Sequence, residues 1–345
     1  MKKALIVSPY LDHLGGGERY MLTCASTLES LGYEVSIGWD NLESITSICH
    51  MLAIELKNPV LVPGIRELYH SHNPISMFMA TRPYDVVVYL SDGSIPLLGG
   101  RINLLHMQVP FHNVNGSNWK NKLKLKTIHR VIVNSNFTKK IVDSEYGIDS
   151  FVLYPPVSSN NKVGAKEKII LSVGRFESSL NVKKQDVLIT AFKKLSATMT
   201  DWKLLLVGGS TEDNWINQLR NQSAGYNIEL LPNVDSTTLV YLYGKASIYW
   251  HAAGYGVDEA RSPELVEHFG ISTVEAIAAR ATPLVYRAGG QTEIVKHDDL
   301  LWETVDELIN KTINLTNQSF NNYESVLKID SFSEEAFKNT LKTLL

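Results

Sequence analysis

Short runs of aliphatic and β-branched residues alternate with stretches of helical periodicity along most of the chain, the pattern of a parallel sheet covered on both faces. In the first half, runs at residues 3–7, 35–39, 85–90, 103–107, 131–134 and 151–154 predict strands. A helix is expected between the first two, from a glycine-rich turn to about Leu31. The sequence Tyr154-Pro155-Pro156-Val157, followed by the polar Ser158-Ser159-Asn160-Asn161, breaks this rhythm with stiff prolines and predicts a domain boundary. Alternation then restarts. Strands are expected at 169–173, 203–207, 228–231 and 248–250, helices at 185–194, 213–221 and 237–244, and an amphipathic helix at 332–345. A length of 345 residues suits two domains of ordinary size. The fold class is therefore α/β, with two doubly wound parallel-sheet halves and ligands expected at the carboxyl ends of the strands, in the cleft between the halves.

Residues 263–295 concentrate the candidate chemistry. Glu267 and Glu275 are separated by seven residues that include Gly270-Ile271-Ser272, and Gly289-Gly290 follows the next predicted strand. Gly270 allows close backbone approach, and the helix opened by Ser272 would turn its free N–H groups and positive dipole end toward an anion such as a diphosphate. A carboxylate is repelled by phosphate, so the two glutamates are better suited to accepting hydrogen bonds from sugar and ribose hydroxyls. The run Ser272-Thr273-Val274-Glu275 also has capping-box spacing, in which Glu275 would satisfy only the Ser272 N–H. Near the start of the chain, Gly15-Gly16-Gly17 opens a helix after the first strand and forms a second candidate cradle. It lacks the Lys-Ser/Thr of a P-loop and the third glycine of the dinucleotide fingerprint.

Composition narrows the function classes. The formal net charge is -3, so nothing global points to nucleic acid, and any attraction to a membrane must come from a local patch. Two cysteines, Cys24 and Cys49, do not make a disulfide framework, and no apolar run reaches the roughly 18 residues that span a bilayer. The opening MKKALIVSPY leads directly into the strand-helix pattern and does not read as a signal peptide. A reduced, cytoplasmic protein is expected, at the inner face of the membrane if a local patch holds it there. Among the histidines, His106, His112, His129, His251 and His268 offer no pair with zinc spacing and supporting ligands.

The segments EHFGISTVEAIAA, GGQTEIV, VGRF followed by Lys183, GGGERY, VNSNFTKKIV and VLYPPV occur in an order that resembles the retaining, GT-B-fold glycosyltransferases of family 4 over nearly the whole chain. The resemblance implies residues 1–156 as an acceptor-side domain, 157–330 as a nucleotide-sugar domain, and 331–345 as a helix packing back on the first. It implies that Arg175 and Lys183, with Lys184 as the alternative register, bind the donor diphosphate beside the amides of Gly270, Ile271 and Ser272. Glu275 would accept the ribose hydroxyls, Glu267 would face the donor sugar, His106 would stand beside that sugar, and Gly16 and Gly17 would let diphosphate and acceptor approach. Glu267 and His106 are thus the candidate catalytic residues. Transfer with retention is thought to proceed on one face of the sugar, the leaving phosphate helping to deprotonate the incoming hydroxyl, so no enzymic nucleophile, metal or resident cofactor is implied.

The EHFGIS segment is similar to that of guanosine-dependent mannosyltransferases, which implies GDP-mannose as donor and a glycan or lipid-linked saccharide as acceptor. Two features depart from the family pattern. Arg280 replaces a glycine at a helix end, and the loop Lys296-His297-Asp298-Asp299 lacks its usual glycines. Residues 250–259 form either a flap over the donor or a plain surface loop. Lys120, Lys122, Lys124 and Lys126 would meet anionic lipid headgroups or form two solvated helix stripes. The competing readings are another GT-B enzyme, an epimerase or phosphorylase, and a non-catalytic nucleotide-sugar-binding subunit.

Overall fold

Aliphatic strands flanked by amphipathic helices are buried on both faces, and the computed structural model shows two sheets of this kind. It describes residues 1–11, 15–157, 164–179, 181–317 and 329–345; the polar residues 158–161 of the expected linker lie outside them. The chain divides into two units, Met1–Pro156 with Glu334–Leu345, and Val157–Ser333.

The first unit runs β1 (Lys3–Val7), α1 (Gly16–Ser30), β2 (Glu34–Ile37), α2 (Leu42–Leu52), β3 (Val60–Leu61), α3 (Ile65–Ser71), α4 (Pro74–Thr81), β4 (Val86–Leu90), β5 (Ile102–Met107), α5 (Trp119–Leu125), β6 (Arg130–Val133), α6 (Asn136–Tyr146) and β7 (Phe151–Val152). Its strands pair in the order β3-β2-β1-β4-β5-β6-β7, all parallel. One sheet face packs on Tyr20, Met21, Leu28 and Ile45, the other on Ile65, Tyr69, Met77 and Tyr146. Elements α2, β3, α3 and α4 occupy a segment in which the apolar pattern picked none.

The second unit runs β8 (Glu167–Val173), α7 (Gln185–Leu195), β9 (Lys203–Gly208), α8 (Asp213–Ser223), β10 (Ile228–Pro232), α9 (Ser236–Lys245), β11 (Ala246–His251), α10 (Ile271–Ala278), β12 (Thr282–Tyr286), α11 (Gln291–Ile294), β13 (Leu301–Trp302) and α12 (Val305–Asn317). The order β10-β9-β8-β11-β12-β13 is again wholly parallel. It reverses direction between β8 and β11, and a doubly wound sheet binds ligands at such a switch point.

The final helix α13 (Glu334–Lys342) belongs to the first unit, where Phe337 and Leu341 complete the core beside Tyr20. It starts later than the apolar pattern suggested. Phe332 instead closes a tight turn, Asp330–Phe332, and packs edge-on against Phe269 in the second unit. Arg280, which departs from the family glycine, adopts a left-handed φ of 62° just past α10. A side chain in that region costs about 1 kcal/mol relative to glycine.

Candidate active site

The switch point of the second sheet gathers most of the residues singled out in the sequence. Just beyond β8, the carbonyls of Gly174 and Arg175 accept hydrogen bonds from the Gln185 side chain at 3.3 and 2.9 Å, tying the strand end to α7. Arg175 is exposed and makes no ion pair among the described residues. Lys183 lies before α7, not within it, and its stem crosses Gly174. Its ammonium donates to Glu267 Oε2. Lys184, the alternative register, is the left-handed N-cap of α7, and it is Lys183 that contacts Glu267.

Glu267 is only 16% exposed, and burial alone would raise its pKa. The Lys183 ammonium and His251 outweigh that cost and hold the carboxyl well below the usual carboxylate range. His251, at the end of β11, places Nε2 3.1 Å from the same Oε2, off the line of a straight hydrogen bond. Burial lowers its pKa, so the ring is neutral. Glu267 Oε1 accepts no hydrogen bond among the described residues.

The double-glycine turn holds this carboxylate by backbone proximity. A Cβ on Gly289 would lie 2.2 Å from the Glu267 carbonyl, and one on Gly290 would lie 2.1 Å from that of His268. Only glycines permit that contact, and the Gly290 N–H donates to the Glu267 carbonyl at 2.8 Å.

Helix α10 corrects the expected capping. Gly270, with φ of 113°, is the N-cap, and Ser272 is already inside the helix. The Ser272 hydroxyl accepts from Tyr249 at 2.8 Å and Glu275 accepts from Tyr243 at 3.0 Å, so the capping box does not form. The N–H groups of Thr273 and Val274 turn back to the Gly270 carbonyl, while those of Gly270, Ile271 and Ser272 donate to no described protein group. Three consecutive free amides at a helix N-terminus, three residues beyond the Glu267 that Lys183 contacts, suit a diphosphate.

Comparison with known proteins places this arrangement. Residues 157–325 match the family described as Glycosyl transferases group 1. The second unit is a group 1 glycosyltransferase domain. The chain is 30% identical over 203 residues to a GDP-Man:Man(3)GlcNAc(2)-PP-Dol alpha-1,2-mannosyltransferase of Dictyostelium discoideum, covering 51% of this chain and 38% of that protein. It is 25% identical over 269 residues to the alpha-1,3/1,6-mannosyltransferase ALG2 of Kluyveromyces lactis, covering 62% and 51%. The chain thus spans between about a third and a half of the curated relatives' lengths. A crystal structure of a glycosyltransferase from Rickettsia africae superposes with a TM-score of 0.75 at 17% identity, covering 99% of this chain and 97% of the other. The fold is GT-B.

Three of the anticipated residues, Gly16, Gly17 and His106, lie in the first unit. Gly16 and Gly17 form the first turn of α1, where a Cβ on Gly17 would sit 2.8 Å from the Gln108 side chain. His106, which the resemblance set beside the donor sugar, has no exposed surface. It is fully buried at the end of β5, stacked on the Tyr20 ring at 3.8 Å, with Nδ1 3.2 Å from the Ile132 carbonyl. Its Nε2 is buried without a hydrogen-bond partner among the described residues. The second unit also joins, through side chains, residues to which the sequence assigned no role: His251, Thr273 and Gln291. A histidine closing an apolar strand at the switch point was the available signal for the first; the other two had none.

Proposed function

We propose that the chain is a retaining hexosyltransferase moving a hexose from a nucleoside-diphosphate sugar, GDP-mannose, to a hydroxyl of a glycan or lipid-linked saccharide. The observation that carries this reading is the row of free amides at Gly270, Ile271 and Ser272 beside Lys183 and the ionised Glu267. The amides, Arg175 and Lys183 bind the diphosphate and stabilise the charge that develops as it leaves, in place of a metal. Glu267 accepts a hydroxyl of the donor sugar and Glu275 those of the ribose. The departing phosphate oxygen takes the proton of the incoming hydroxyl, so no enzymic nucleophile is needed. Mannosyl donors are favoured because both curated relatives are mannosyltransferases.

A thermal-stability panel of GDP, UDP, ADP and dTDP with their sugars tests the donor. GDP is expected to stabilise the chain by about 2.7 kcal/mol at 100 times its dissociation constant. Glu275→Ala should weaken GDP binding by about 1 to 3 kcal/mol. A response to UDP alone would replace the donor, and no response to any nucleotide would remove the proposal.

The acceptor reading extends to a membrane surface. Residues 93–142 carry eight lysines and arginines and no acidic residue, in a chain whose net charge is -3. Within that stretch α5 has no buried residue; Trp119 and Leu123, four apart and on one face, are 68% and 52% exposed. Lys120, Lys122 and Lys126 are exposed around them, whereas Lys124 turns inward to the Ile95 carbonyl at 2.9 Å. An apolar wedge ringed by cations suits an anionic bilayer, at about 1 kcal/mol per cation near the surface. No described helix is long and apolar enough to cross a membrane, and the contact proposed for α5 is a surface one. Sedimentation with phosphatidylcholine vesicles should require added phosphatidylserine and weaken in Trp119→Ser. Equal sedimentation without anionic lipid would sink the idea.

A further inference from the structure

The carboxylate at residue 267 is the end of a longer chain of contacts. The Ala253 backbone N–H donates to His251 Nδ1 at 3.2 Å. A backbone N–H can only donate, so Nδ1 is an acceptor and the ring proton sits on Nε2, facing Glu267. That assignment also fixes Gln291. Its amide nitrogen contacts the same Nδ1 and must donate to it, leaving Gln291 Oε1 to accept from the Thr273 hydroxyl. Thr273 and Gln291 are fully buried and His251 is 2% exposed, so water does not compete for these groups. Gly270 joins the arrangement sterically, since a Cβ there would stand 3.2 Å from Gln291 Oε1. The cap of α10 and the orientation of the imidazole are therefore coupled through one glutamine.

We propose that His251 and Gln291 are positioning residues for Glu267: Gln291 locks His251 in the Nε2–H tautomer, whose ring proton stands beside Oε2 while Lys183 holds that oxygen, leaving Oε1 open to a hydroxyl of the donor sugar. The proposal rests on Glu267 facing that sugar. Were the tautomer reversed, a ring lone pair would face the carboxylate at 3.1 Å and repel it. Glu267 would then turn about its Lys183 contact, and the direction of Oε1 would be lost. The charge and the lysine contact would remain in place; only the aim of the acceptor oxygen would change. That separates the role from ordinary support of the core, which would act on stability alone.

The experiment reads the tautomer first and turnover second. In the full chain labelled with 15N-histidine, with the signal of residue 251 assigned from its loss in His251→Asn, the Nε2-protonated form is expected at neutral pH. A wild-type ring protonated on Nδ1 would overturn the lock. Gln291→Met keeps the side chain's length and removes both amide contacts. It should mix the tautomers and lower kcat with GDP-mannose by roughly tenfold to a hundredfold while GDP affinity stays within about twofold. An unchanged tautomer with unchanged kcat in that variant would also overturn the proposal. Glu267→Gln, measured in parallel, separates the two ideas. Full turnover there would remove Glu267 from the reaction, whatever the tautomer of His251.

Discussion

Lys183→Ala is expected to lower turnover by on the order of a hundredfold or more and to destabilise the second unit by about 3 kcal/mol. The two losses have different origins. Glu267 is buried to 16% exposure, and Lys183 supplies the charge that offsets its desolvation. Removing the lysine leaves the buried carboxylate with His251 as its remaining partner, whose own burial disfavours the charge that would compensate. The diphosphate simultaneously loses a cation. The double variant Lys183→Ala with Glu267→Gln replaces the stranded charge by a neutral amide, so it should regain most of the stability and none of the turnover. Urea denaturation and steady-state assays on the three proteins separate these effects. A single variant as stable as the parent would show that the pair contributes nothing to folding.

Acid should destabilise the chain well before its carboxylates titrate. Burial lowers the His106 pKa from 6.5 to about 3, against a smaller opposing effect of the Ile132 carbonyl. Between those values the unfolded chain binds a proton that the folded chain refuses. Stability attributable to this one ring therefore falls as pH drops below about 6.5, at roughly 1.4 kcal/mol per pH unit, or about 2 kcal/mol by pH 5. His251 and His268 are shifted in the same direction, again chiefly by burial. Glu267 acts in a lower window, since a depressed carboxyl keeps its contribution until pH falls below the unfolded carboxylate value of about 4.5. Denaturation midpoints at pH 7.5 and pH 5 measure the loss. His106→Phe preserves an aromatic face for Tyr20 and should flatten the dependence, at some cost at neutral pH because the Ile132 carbonyl loses its contact. An unchanged slope in that variant would place the acid sensitivity elsewhere.

Much of this architecture was legible because parallel sheets leave a strong imprint. Strands such as β1, β4 and β9 are nearly uninterrupted aliphatic runs, and their helices keep one apolar stripe. Short elements are different. Strand β3 has two residues, and its existence depends on pairing with β2, which no local pattern records. Ser272 was a reasonable cap by spacing, yet Gly270 took the position because its left-handed backbone approaches Gln291. His106 had the address of a site residue at a strand's carboxyl end, but packing against Tyr20 decided its exposure. His251 had the reverse history. Its significance comes from Glu267 and Gln291, 16 and 40 positions away, and only the fold brings them together.

Val157 and Ser333 form a parallel bridge, and the Val157 N–H donates to the Phe332 carbonyl at 2.8 Å. The second unit therefore begins and ends at one point. For the first unit, α13 must return across about 180 intervening residues before Phe337 and Leu341 can fill the core, a closure that costs about 4 to 5 kcal/mol in a flexible chain. Once the intervening residues have folded, the bridge shortens that span to a single contact. A folded second unit thus lowers the entropic cost of bringing α13 back to the core around Tyr20.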